Sequence, residues 1–142
     1  MKLHILGKMD DSHSLEIPFV NAKVKAGFPS PATDYEEERL DLNKKLVKNK
    51  EATFYIEVEG HSMKFANIID GDILVVDRSI QATSNKIVVA YLDGCFTLKR
   101  VILLHNKCYL QADNPDFKNI EITEENDFIV WGVVTWIIHK AI

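Results

Sequence analysis

The chain has 142 residues, 46% of them apolar and 27% charged, with a formal net charge of −4. That length and balance fit one soluble globular domain with a tail, and no apolar run is long enough to span a membrane. The acidic balance argues against direct sequence-specific binding to duplex DNA, which calls for a basic face.

Residues 1–33 read as an extended arm, with apolar residues scattered without helical or strand period. No basic stretch followed by a compact apolar run opens the chain, so no secretory signal is expected. Lys25, Ala26, Gly27, Phe28, Pro29, Ser30, Pro31 and Ala32 are mostly small, Gly or Pro residues, so this segment should be extended and exposed. A protease can grip such a backbone. Residues 34–48 read as one helix, with Thr33 or Asp34 as cap, Glu36 or Glu37 completing a capping box, and lysines trailing the acidic start.

From residue 53 onward the pattern is β. Phe54, Ile56 and Val58 alternate with Tyr55, Glu57 and Glu59, as in a half-buried strand. Asp70, Gly71 and Asp72 form a turn before the apolar run 73–76. A strand over 86–92 meets a second over 95–103 through Asp93 and Gly94, a strong hairpin signal. Residues 107–111 should pair with what precedes them. Phe128–Ile138 is nearly all apolar and reads as a long, well-buried strand. The fold class expected is mainly β: a compact domain with one short N-terminal helix and an extended N-terminal arm.

Two features carry possible chemistry. Gly60, His61, Ser62 and Met63 follow a strand directly, and Ser62 would open a short helical turn over 63–68. A serine there can present its hydroxyl, while neighbouring backbone N–H groups can hold an oxyanion. Gly-x-Ser is common, so this signal alone is weak. Lys99 lies on a strand and points the same way as Cys95 and Thr97. A strand lysine is usually solvated. If buried, it loses affinity for its proton and can serve as a base for a serine hydroxyl.

Other constellations are lacking. His4, His13, His61, His105 and His139 show no zinc spacing, and no metal is expected. Asp70 and Asp72 shape a turn more readily than they bind a cation. There is no phosphate-binding glycine loop. Cys95 and Cys108 lack metal-ligand spacing, which with no signal peptide suggests a cytoplasmic protein with free thiols. Trp131 and Trp136 suit core or dimer packing.

Taken together, the segments resemble the UmuD family, relatives of the LexA and phage repressor proteases. The matching stretches are 26–32, Asp34-Tyr35, 39–43, 60–63, 70–77 and 96–100. The likeness runs from about residue 25 to 138. It departs at Ala26, where UmuD proteins often have Cys, and at His61, where they have Asp. The resemblance implies a LexA/UmuD-type β domain, with residues 1–26 as a flexible cleavable arm and 27–142 as a self-cleaving peptidase and dimerisation domain. It also implies Ser62 as nucleophile, Lys99 as base and Ala26–Gly27 as the bond cut, with no cofactor. The backbone amides of Ser62 and Met63 are the expected oxyanion donors. A homodimer is implied, together with activation by a RecA filament on single-stranded DNA. The processed form would be the accessory subunit of a UmuC-like, error-prone translesion polymerase in the SOS response. Only 26 residues precede the bond, too few for a helix-turn-helix with a core, so an intact repressor is not expected. Two alternatives compete: a non-catalytic dimerisation and polymerase-binding module with a vestigial Ser/Lys pair, and a signal-peptidase-like Ser-Lys enzyme acting on other proteins.

Overall fold

The computed structural model describes residues 1–8, 15–20 and 37–142, with backbone alone at 19, 20, 37 and 38. Two units are distinguished: Met1–Met9 with Asn49–Ile142, and Asp10–Lys48. The Ala26–Gly27 bond lies outside the described residues.

The first unit is one eight-stranded antiparallel sheet. Its strands are β1 (Lys2–Lys8), β4 (Thr53–Glu59), β5 (Ile73–Asp77), β6 (Ile87–Leu92), β7 (Cys95–Leu104), β8 (Lys107–Gln111), β9 (Ile120–Ile122) and β10 (Phe128–Ile138). Their order across the sheet is β1-β4-β5-β10-β6-β7-β8-β9. Strands β1 and β7 also touch although they are not neighbours in that order, so the sheet curls.

The mainly β expectation holds, and strands β4 to β8 fall close to where alternation, the apolar run and the hairpin signal placed them. Ile56 and Val58 of β4 join Met63, Ile68, Leu74, Val76, Val89 and Leu98 in one apolar cluster. Full burial of such a side chain contributes about 1.5–3 kcal/mol. Val88, Ala90, Val101, Leu110 and Val133 form a second cluster. Successive residues of β6 thus serve different clusters, as period two requires. The β6–β7 hairpin turns on Asp93 (φ 47°) and Gly94 (φ 91°), the left-handed pair that suits right-twisted strands.

In the second unit, β2 (Glu16–Val20) pairs antiparallel with β3 (Glu37–Asp41). Over the described part of the helix expected at 34–48, residues 37–41 are therefore strand. Among the described residues of that span, only Leu42–Leu46 is helical, capped by the Asp41 carboxylate, which accepts from the Asn43 N–H. Its apolar residues never formed a continuous helical stripe, and the ladder with β2 outweighs local propensity. The Arg39 guanidinium adds a bond to the Glu16 carbonyl at 2.9 Å.

β10 needs a second correction. It pairs with β5 on one side and β6 on the other, yet it is not well buried throughout. Gly132 and Val133 are buried, while Ile129, Trp136, Ile137 and Ile138 are exposed. Among the described residues, no helix is long and apolar enough to cross a membrane.

Candidate active site

Ser62 sits just past the end of β4. Gly60 turns the chain there with φ 108°, and a Cβ on it would lie 2.6 Å from the Met1 Cα. Glycine is thus required for its conformation and for its close neighbour. The Gly60 N–H donates to Asp70 Oδ1 at 2.9 Å, so Asp70 anchors the turn. Asp72 accepts from the Ile69 N–H and lies 2.7 Å from His139 Nδ1. Both aspartates shape the turn, as their places beside Gly71 implied. A 3-10 turn follows at Lys64–Ala66 and closes on Asn67, which is left-handed at φ 58°. The short helical turn expected after the serine is present in this tighter form.

Ser62 is 1% exposed and Met63 is fully buried. The Ser62 hydroxyl donates to the Met1 sulfur at 3.7 Å. Among the described residues, neither the Ser62 nor the Met63 amide donates to another backbone group. N–H groups with no backbone partner there, beside a serine hydroxyl, are the donor type an oxyanion needs.

Lys99 lies on β7 opposite Val88, and Thr97 lies opposite Ala90. Directly opposed residues share a face, so Lys99 and Thr97 are neighbours there. Lys99 is 8% exposed. Its Nζ donates to Thr97 Oγ1 at 2.7 Å and to the Leu98 carbonyl at 3.2 Å. Among the described residues no carboxylate pairs with it. Burial disfavours the charged amine and pulls the Lys99 pKa below its ordinary 10.5.

The two segments meet, although the two groups do not bond. Met63 and Leu98 share one apolar cluster. Arg100 grips Asp113, whose carbonyl accepts from the Phe65 N–H at 2.9 Å. Among the described residues, no hydrogen bond joins Ser62 Oγ to Lys99 Nζ; each has another partner. His61, beside the serine, is exposed. Thr97 was open to discovery through its strand parity with Lys99. The Met1 contact had no signal in sequence.

Cys95 is exposed and Cys108 half-buried, both free thiols, with burial pushing the Cys108 pKa up. Trp131 packs between Phe54 and Phe96, under the Arg78 guanidinium. Trp136 stays at the surface. Among the described residues, no cluster of His, Cys, Asp and Glu could hold a metal.

A family model described as Peptidase S24-like matches residues 18–135. The chain belongs to that family. This S24-like chain is 42% identical over 136 residues to Protein MucA of Salmonella typhimurium, covering 95% of the chain and 92% of MucA. It is 41% identical over 134 residues to Protein ImpA of Salmonella typhimurium, covering 93% and 88%. It is 37% identical over 122 residues to a LexA repressor of Ectopseudomonas mendocina (strain ymp), covering 85% of the chain and 59% of the repressor. The S24 family includes self-cleaving serine peptidases, and membership bears out the resemblance to UmuD and LexA proteins.

Proposed function

We propose that this chain is a self-cleaving serine peptidase of the SOS response that cuts its own Ala26–Gly27 bond. Lys99 carries the reading. A buried amine held by a hydroxyl and a carbonyl, with no counter-charge among the described residues, yields its proton more easily than a solvated lysine. Such an amine can take the proton of a serine hydroxyl. The Ser-Lys pair is a variant of the serine triad.

Ser62 Oγ attacks the Ala26 carbonyl carbon as its proton passes to Lys99 Nζ. The Ser62 and Met63 N–H groups hold the resulting oxyanion. Lys99 then gives the proton to the Gly27 nitrogen, the C–N bond breaks, and an ester remains on Ser62. Water, deprotonated by the same amine, hydrolyses the ester. The products are residues 1–26 and a chain starting at Gly27. For this to start, the hydroxyl must leave the Met1 sulfur and turn toward Nζ. Delivery of the bond within one chain makes the rate independent of concentration.

The cut form would act as a homodimeric accessory subunit of a UmuC-like translesion polymerase. A RecA filament on single-stranded DNA would favour the competent arrangement. The exposed apolar residues of β10 support the dimer.

One observation favours the non-catalytic alternative: Ser62 and Lys99 share no hydrogen bond among the described residues. Incubating the full chain at alkaline pH separates the readings. The peptidase releases a fragment whose N-terminal sequence begins at Gly27, and Ser62→Ala and Lys99→Ala chains stay intact. A wild-type chain that stays whole leaves only a dimerisation module. Fragment formation from an added Ser62→Ala copy reports cutting of other chains.

A further inference from the structure

The reaction proposed above needs a serine loop held firmly against the lysine strand. Burial alone does not orient a loop. The polar contacts around residues 113 and 114 do.

Arg100 follows Lys99 on β7. Its Nε donates to Asp113 Oδ1 at 3.2 Å and to Oδ2 at 3.0 Å, and its Nη2 also donates to Oδ2. Its Nη1 donates to the Asn85 carbonyl at 2.7 Å. A guanidinium in this forked pairing is fixed in direction as well as position. Asp113 passes that order to the serine loop. Its carbonyl accepts from the Phe65 N–H at 2.9 Å, and its N–H donates to the Met63 sulfur at 3.2 Å. Asn114, only 4% exposed, follows. Its Nδ2 donates to the His61 carbonyl at 2.9 Å, and its Oδ1 accepts from the Asp116 N–H at 3.0 Å. Residues 61, 63 and 65, on both sides of Ser62, are thus tied to one dipeptide.

The bond to His61 has a specific consequence. A trans peptide is planar, so its C=O and N–H point in opposite directions. The His61 carbonyl and the Ser62 N–H belong to one such plane. Holding the carbonyl toward Asn114 therefore aims the Ser62 N–H the other way. The Lys64 N–H also reaches that carbonyl, at 3.2 Å, but as part of the turn itself. Asn114 is the contact from outside the loop. Rotation of this plane would turn a carbonyl toward the oxyanion and lose a donor together.

We propose that Asn114, seated by the Arg100–Asp113 pair, is a positioning residue that aims the Ser62 amide at the oxyanion and sets the serine loop against β7. The proposal rests on Ser62 being the nucleophile.

The test follows self-cleavage of the full chain from neutral to alkaline pH, for wild type and Asn114→Ser. Serine keeps an acceptor for the Asp116 N–H, adds no charge, and is too short to reach the His61 carbonyl. Thermal unfolding first establishes that the variant is folded. The expected result is a plateau rate lower by about ten- to hundredfold, short of the hundred- to thousandfold loss of a whole oxyanion donor. The pH midpoint stays where it is in wild type, because the lysine is untouched. A role confined to stability would lower the melting temperature and leave the plateau of the folded protein alone. A wild-type plateau, or a moved midpoint with an intact plateau, overturns the positioning role and leaves the Ser62–Lys99 reading standing. Should Asn114→Ser not fold, Asn114→Ala takes its place under the same criteria. Failure of both to fold makes the contact structural and overturns the proposal. A wild-type chain that never cleaves overturns the functional reading, and this proposal with it.

Discussion

The Lys99 amine lies 2.7 Å from the Thr97 hydroxyl, two residues back on the same face of β7. A hydroxyl offers a dipole but no countercharge, so it orients the amine and offsets only part of the desolvation of its charged form. Self-cleavage is therefore expected to speed up with pH through the lowered Lys99 pKa, with a midpoint below pH 10.5. Thr97→Val removes the acceptor. Its plateau should fall about tenfold, equivalent to ~1.4 kcal/mol of barrier, and its midpoint should move to lower pH because the ammonium loses a partner. Rates of fragment release across the pH range check both. A flat profile would remove the neutral amine from the mechanism.

The same burial has a sign for stability. Between the lowered native pKa of Lys99 and the unfolded value of 10.5, the unfolded chain binds more protons than the native one. Stability from this group thus rises with pH through that window, and the penalty is largest below it. Lys99→Met, of similar volume and without charge, should raise the melting temperature at pH 7, by about 3–5 °C for each kcal/mol relieved. The gap to wild type should narrow as pH approaches 10.5. Thermal unfolding of both chains at three pH values measures it. A variant less stable than wild type at pH 7 would mean that the lysine is solvated.

Much of the sheet was legible because a half-buried strand writes its face in period two, as Phe54, Ile56 and Val58 do. β1 was missed for a physical reason: its register against β4 shifts between Ile5 and Gly7, so the apolar period breaks midway. β3 was mistaken for helix because charged residues such as Glu37, Glu38 and Arg39 favour helices locally, while the pairing with β2 is set at a distance. In β10 apolar residues fall on both faces, and composition cannot say which of them a partner covers. Ser62 and Lys99 were legible only as a combination, through the family likeness. Asn114 was not legible as a site residue. Nothing in the residue pattern says which carbonyl its amide meets; the fold decides that.

Ser62 is covered by Met1, and that cover leads directly into β1, a strand paired on one side to β4. A peptide carbon must come within about 3–3.5 Å of Oγ to react, so the methionine must move first. Leu3 packs against the apolar cluster beneath β1. Leu3→Asp forfeits part of that burial, about 1–2 kcal/mol, and should raise the population of the uncovered state. Cleavage at a fixed pH is expected to accelerate about five- to thirtyfold, with little change in melting temperature for the rest of the sheet. Hydrogen exchange of the β4 amides reports release of β1. A released strand with an unchanged rate would show that the cover does not limit the reaction.

Trp136 is 44% exposed and Ile129 58%, on a strand that is central in its sheet. With Ile137 and Ile138 also exposed, this is a large amount of apolar surface for one strand, and such patches mark association. Two register shifts, at Val130/Gly132 and Val134/Trp136, bend the strand and present these side chains. A buried tryptophan anchor at an interface commonly contributes 2 kcal/mol or more. Trp136→Glu should therefore weaken self-association about thirtyfold or more, seen as a shift from dimer to monomer in sedimentation at micromolar concentration. Its melting temperature, extrapolated to low concentration, should match that of wild type, because the side chain is outside the core. A variant that sediments as wild type would move the interface away from β10.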